Sequence, residues 1–229
     1  MAEVRRALLG LGLLIMVGCD NTSTDVAPVD FLALGDSYTI GESVPDAERW
    51  PMQLAERLRE RGITVDSVLI IARTGWTTDE LAAGIAERAP QGPFDLVSLL
   101  IGVNNQYRGR DTSEYRAQFR ERLGQAVELA GGRADRVIVL SIPDWGVMPF
   151  AEGRDRMRIA AEIDSFNAIN REETERTGAR YVDVTPVSRE AAGDSTLVAG
   201  DGLHPSGAQY ARWADLALPE ALAALGRGE

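Results

Sequence analysis

The strongest hint of chemistry in these 229 residues comes from a serine at position 37 and the chain's one histidine, at 204. Ser37 stands in Gly35-Asp36-Ser37-Tyr38-Thr39, directly after the apolar run Phe31-Leu32-Ala33-Leu34. A hydroxyl is a poor nucleophile until a base removes its proton, and an imidazole is suited to that near neutral pH. His204 lies in Asp201-Gly202-Leu203-His204-Pro205. There a carboxylate three residues upstream can hold the ring in one tautomer and leave its other nitrogen for the serine. Each half is weak alone: a Gly-Asp-Ser turn is most often only a turn, and a histidine beside an aspartate is commonly a hydrogen-bonded structural residue.

The elements between them must supply the rest. The run at 31–34 reads as a short buried strand and the glycine and aspartate after it as a tight turn, which puts Ser37 at a strand's carboxyl end. Pro51 can open a helix with Leu54 and Leu58 on one face, closed by Gly62. Residues 65–71 are nearly all aliphatic, as in a strand buried on both faces, and run into Arg73-Thr74-Gly75-Trp76. Thr77-Thr78-Asp79-Glu80 has capping-box spacing ahead of a helix bearing Leu81 and Ile85.

The unit then recurs. Residues 94–101 form an aliphatic strand that gives way to the loop Gly102-Val103-Asn104-Asn105-Gln106-Tyr107-Arg108-Gly109. Residues 111–114 can cap a helix whose inner face carries Tyr115, Phe119, Ala126 and Val127. Residues 137–142 make the next strand and end in Pro143-Asp144-Trp145-Gly146. Ile159, Ile163, Phe166 and Ile169 follow at helical spacing as plain core, residues 181–184 form a last strand, and a closing helix carries Tyr210, Trp213 and Leu216.

Five strands alternating with helices predict an α/β fold with a mostly parallel sheet covered on both faces, because parallel neighbours need crossover helices. In such a sheet ligands bind beyond the carboxyl ends of the strands. Ser37, Gly75, Asn104, Asp144 with Trp145, and Asp201 with His204 all fall just after a strand or on the last loop. Gathered at one edge, they weigh more than any of them alone.

Composition removes several other classes. The net charge of −11 argues against nucleic acid as the main partner. All 24 basic residues are arginine, which excludes Schiff-base and phosphate-loop lysines. One histidine, one cysteine and scattered carboxylates make no metal site. Arg5 and Arg6 precede an apolar stretch at 7–17, the pattern of a secretory signal over residues 1–18 and too short for a confident membrane span. Met16-Val17-Gly18-Cys19 is similar to the bacterial lipobox, which implies lipidation of Cys19; the alternative is an ordinary signal peptide with a chance cysteine. Cys19 is the only cysteine, so no intrachain disulfide can form. Residues 19–29 then read as a tether, and 30–229 as one domain. The expectation is an exported, membrane-anchored lipoprotein of the bacterial cell envelope, monomeric.

On these motifs the chain resembles the GDSL or SGNH hydrolases. Their landmarks are a serine in Gly-Asp-Ser, a glycine, an asparagine in Gly-x-Asn and a histidine in Asp-x-x-His. Ser37, Gly75, Asn104 and His204 stand in that order, and the likeness covers essentially everything after the tether. Tyr38 replaces the leucine of the family name, and Asn105 stands where many members carry aspartate. The resemblance implies a flavodoxin-like three-layer α/β/α sandwich, no cofactor, and hydrolysis of carboxylic esters of lipids, lysophospholipids or acylated carbohydrate. It also implies roles: Ser37 attacks, His204 moves the proton and Asp201 stabilises the imidazolium. The N–H groups of Ser37 and Gly75, with the Asn104 amide, would hold the oxyanion.

An α/β-hydrolase fold is disfavoured, because Gly35-x-Ser37-x-Thr39 lacks the second glycine of a nucleophile elbow and Asp201 shares a loop with His204. Trp76, Tyr107, Trp145 and Trp50 are candidates for the substrate pocket, against the alternative that they merely pack. Arg73 and Arg108 either bind an anionic part of the substrate or pair with surface acids. Two other functions use the same fold: an envelope polysaccharide O-deacetylase or acyltransferase, and a non-catalytic binding lipoprotein.

Overall fold

The structure is a computed structural model that describes Met1 and residues 27–228. The expected signal peptide and Cys19 lie outside the described residues, as does most of the tether. Among the described residues five strands and eight α-helices follow in the order β1 (Val29–Gly35), α1 (Ser37–Ile40), α2 (Trp50–Glu60), β2 (Val65–Ala72), α3 (Thr78–Arg88), β3 (Leu96–Leu100), α4 (Val103–Tyr107), α5 (Thr112–Leu129), β4 (Val137–Leu140), α6 (Arg156–Thr177), β5 (Arg180–Val182), α7 (Thr185–Arg189) and α8 (Gly207–Ala224). Among the described residues no helix is long and apolar enough to cross a membrane.

All strand pairs are parallel and the sheet order is β2-β1-β3-β4-β5. The chain steps from β1 outward to β2, then crosses back to the other side of β1. That reversal opens a crevice beyond the carboxyl ends of β1 and β3, the position where doubly wound sheets bind ligands. Register makes the crevice a common floor: Gly35 pairs with Ala72 on one side and with Leu100 on the other. Ser37, Gly75 and Asn104 therefore leave the sheet from the same level, two to four residues beyond it. α2 and α8 pack together on one face, while α3, α5 and α6 form a row on the other, which completes the three layers.

The core sits where the pattern puts it, with Phe31, Leu32, Leu34, Leu54, Leu81, Tyr115, Phe119, Ile163 and Trp213 buried. Three local expectations are corrected. β2 is not buried on both faces; it is the edge strand, and only Val65 and Ile71 are fully covered. The segment after Gly102 is not a loop but the short helix α4. Leu216 of α8 is exposed, because the face that starts at Tyr210 and Trp213 continues through Ala214, Ala217 and Ala221, and these small side chains let α8 lie close on α2.

Candidate active site

The serine corner is built by close approach. A Cβ on Gly35 would stand 2.1 Å from Thr39 Oγ1 and 2.5 Å from the Leu100 carbonyl oxygen, so only glycine lets α1 fold back over the end of β1. Asp36 caps α1, its Oδ1 accepting the Tyr38 N–H at 3.0 Å. Ser37 is the first residue of that helix, and among the described residues its N–H has no acceptor.

Asp36 itself is fully buried, and among the described residues its Oδ2 has no hydrogen-bond partner. Desolvation, only partly offset by the Tyr38 N–H, pushes its carboxyl up to about 7. A folded-state value raised above the unfolded one makes the folded chain hold its proton more tightly. Stability is then fully present below the unfolded value of 3.8 and declines as pH rises towards about 7. Asp36→Asn is expected to flatten that decline, read as urea midpoints at about pH 5 and pH 8. An unchanged difference between the two midpoints would show that another group titrates.

The histidine loop explains the three-residue spacing. Asp201 Oδ1 accepts the N–H groups of Leu203 and His204, both at 2.9 Å, which curls the loop so that the His204 ring comes back to the same carboxylate. His204 Nδ1 lies 2.6 Å from Asp201 Oδ2. With Nδ1 donating, Nε2 is left unprotonated as the basic nitrogen. The same Oδ2 accepts the Ser43 hydroxyl at 2.7 Å, from a serine held at φ 66°, a strained value for a residue with a side chain. Partial burial raises the Asp201 pKa, but the N–H of His204, its ring, the N–H of Leu203 and the Ser43 hydroxyl outweigh it and hold this carboxyl well below the usual range. The carboxylate is therefore charged at neutral pH.

On the third side stand Gly75 and Asn104. Gly75 adopts φ 87°, a left-handed turn that suits glycine. Among the described residues its N–H has no acceptor, while its carbonyl oxygen accepts Arg108 Nη2 at 2.7 Å. Asn104 Nδ2 donates one hydrogen to the Trp76 carbonyl oxygen at 2.9 Å, which fixes the amide and leaves its second hydrogen free. Asn105 is buried and ties α4 to the start of α3, accepting from Thr78 N at 3.1 Å and donating to Thr78 Oγ1 at 2.8 Å. Arg108 also pairs with Glu80 at 3.2 Å, so it braces this corner.

Ser37, Asn104 and His204 line one cavity of about 180 Å³, together with Tyr38, Val103, Tyr107, Trp145, Phe150 and Leu203. Gly75 lies outside that lining. The His204 and Tyr38 rings meet edge to face, centroid to centroid 5.6 Å. Ser37 Oγ and the imidazole are not hydrogen-bonded to each other in this structure; such contacts are commonly long until a substrate draws them in.

Of the aromatic candidates, Tyr107 and Trp145 line the cavity and two do not. Trp76 is corrected: its ring packs on Gly84, where an added methyl would come within 2.0 Å of Cη2, and it faces a shallow groove beside β2 and α3. Trp50 is core, fully buried beside Phe31. Asp144 caps the turn that carries Trp145 and pairs with Arg189 at 2.9 Å. Trp145 Nε1 donates to Gln106 Oε1 at 2.8 Å, and Gln106 in turn donates to Glu162 at 2.7 Å, so the indole is held by a relay. Phe150, Leu203 and Ser43 were not foreseen. Phe150, an aromatic residue on the loop after a strand, carried the same signal as Trp145.

A three-layer sandwich with a serine, a carboxylate-bound histidine and a braced amide around its switch-point crevice has the architecture of an ester hydrolase. The model of the GDSL-like lipase/acylhydrolase family matches residues 33–212, and the chain belongs to that family of ester-hydrolysing enzymes. Solved structures share the fold at low identity. TesA superimposes with a TM-score of 0.65 at 19% identity, covering 83% of this chain and 97% of its own. Axe2, an acetylxylan esterase from Geobacillus stearothermophilus, gives 0.63 at 20% identity, covering 86% and 94%. The psychrotrophic esterase EstA from Pseudoalteromonas sp. gives 0.63 at 16%, covering 81% and 92%. No curated protein matches the chain in sequence.

Proposed function

We propose that this chain is a serine esterase for short-acyl esters of hydrophilic alcohols, working through an acyl-enzyme on Ser37. His204 Nε2 takes the hydroxyl proton as Ser37 Oγ bonds to the ester carbonyl carbon, and the carbonyl oxygen becomes an oxyanion. The free N–H groups of Ser37 and Gly75 and the second hydrogen of the Asn104 amide would hold that charge. Collapse breaks the bond to the alkoxide, which receives the proton from His204 and leaves as alcohol. Water then repeats the sequence on the acyl-serine, and Asp201 stabilises the imidazolium in both halves.

The observation that carries the reading is that Ser37, His204 and Asn104 share one cavity. Its size supports the short acyl group: about 180 Å³ is the share of roughly six liquid waters. Next to it lies a larger cavity of about 520 Å³ in which Arg110, Asp111, Asp155, Arg158 and Glu162 stand among the rings of Tyr107, Trp145 and Phe166, a mixed wall that offers a polyhydroxylated alcohol hydrogen-bond partners and rings to stack on. This favours an acylated carbohydrate, in line with the activity named for Axe2, over a long-chain lipid. The lipobox-like segment supports export and anchoring through Cys19, which radiolabelled palmitate incorporation lost in Cys19→Ser would test.

The deciding measurement is a nitrophenyl ester series. Acetate and butyrate are expected to be turned over with kcat/KM about tenfold or more above octanoate, since each misfitting methylene carries a penalty of that order. A steady rise towards long chains would overturn the short-acyl reading.

A further inference from the structure

Where the two cavities meet, three rings surround one guanidinium. Tyr107, Trp145 and Phe150 form a cluster with centroids 5.4 to 6.5 Å apart. Arg154 Cζ lies 5.4 Å from the centroid of Tyr107, 5.4 Å from that of Trp145 and 5.0 Å from that of Phe150. Its Nη2 donates to the Tyr107 hydroxyl at 3.3 Å. Rings pressed against a guanidinium hold the side chain in place but take up little of its hydrogen-bonding capacity, so most of its planar fork stays available to an oxygen ligand.

The neighbours of Arg154 in the larger cavity are differently placed. Arg110 is paired with Glu114 and Asp79, and Arg158 with Glu162. Among the described residues no carboxylate stands within ion-pair distance of Arg154, and the adjacent Asp155 is engaged in capping α6 through the Arg158 N–H. On a chain of net charge −11, whose long-range field repels anions, an exposed guanidinium held without an acidic partner beside the reactive cavity is a local exception. Tyr107 and Trp145 line both cavities, so a substrate whose acyl half lies near Ser37 must pass its alcohol half over these rings towards Arg154.

We propose that Arg154 reads an anionic group, a carboxylate or a phosphate, on the alcohol half of the ester. This rests on the esterase reading above. The aromatic wall stacks the carbon skeleton of that half while the fork donates to two oxygens of the anion side by side.

Two substrate pairs test it. One is mono-O-acetylated methyl glucuronoside against mono-O-acetylated methyl glucoside; the other is acetylglycerol phosphate against monoacetylglycerol. In at least one pair the wild type is expected to favour the anionic member by about tenfold in kcat/KM, mainly through KM and less at high salt, and Arg154→Gln is expected to bring the ratio to about one. The pair that shows the effect identifies the anion. A ratio that Arg154→Gln leaves unchanged, an equal loss on both members, or no wild-type preference in either pair overturns the proposal.

Binding of the same two pairs to Ser37→Ala, with and without Arg154→Gln, is measured by calorimetry and needs no turnover. Charge preference that depends on Arg154 in binding, with no hydrolysis by the wild type, would sink the esterase reading and keep this assignment. Hydrolysis with a ratio indifferent to Arg154 would do the reverse.

Discussion

Ser37→Ala is expected to lower kcat on a nitrophenyl acetate assay by roughly ten-thousand-fold or more, with KM little changed. The substitution deletes the atom that bonds to the acyl carbon, while the cavity walls and the free N–H groups that bind the ester stay in place. Such a site retains the part of its acceleration that comes from binding and oxyanion donors alone. The fold should not notice, because α1 is capped by the Asp36 side chain and not by Ser37. Urea midpoints of the variant should match the wild type, and labelling by a fluorophosphonate probe should disappear. A folded Ser37→Ala protein that keeps activity within about tenfold would mean that water attacks directly or that the chemistry lies elsewhere, and the acyl-enzyme would be excluded.

What could be read from the sequence was whatever a few neighbouring residues encode. The Asp201-to-His204 spacing is such a case, because the same carboxylate that orients the ring also curls the loop by accepting the N–H groups two and three residues on. The capping box at Thr77 and the core stripe of α6 are others. Parallel alternation was legible for the same reason, and with it the expectation that Ser37, Asn104 and His204 meet.

Strand order was not legible. The aliphatic stretch 68–71 looks the same whether the strand ends up central or at the edge; Asp66 and Ser67 ahead of it are the one local sign of an edge, and the return of β3 to the far side of β1 decides it. Trp76 and Trp145 both follow strands, yet one ring turns onto Gly84 and the other into the cavity, because the first has a glycine of α3 to lie on and the second is drawn in by Gln106. Ser43 was invisible, since its partner is 158 residues away and no spacing rule reaches so far.

The second large effect belongs to Asp201→Asn, and the four hydrogen bonds of that carboxylate determine its direction. Oδ1 accepts two backbone N–H groups, of Leu203 and His204, so in the variant the amide oxygen must take that place; an NH₂ group there would face two donors. The amide nitrogen is then forced to the position of Oδ2, opposite His204 Nδ1 and the Ser43 hydroxyl. Ser43 can rotate and accept. The ring can accept only by giving up its Nδ1 hydrogen, which moves the proton to Nε2 and removes the basic nitrogen. A neutral amide also ceases to stabilise the imidazolium. The expected result is a fall in kcat of roughly a thousand- to ten-thousand-fold with KM nearly unchanged. Because His204 is the only histidine, the nitrogen resonances of its ring report the tautomer without assignment: Nδ1-protonated in the wild type, Nε2-protonated in the variant. A variant that keeps its proton on Nδ1 and its kcat within about tenfold of wild type would remove Asp201 from the mechanism and leave its carboxylate as a brace for the loop alone.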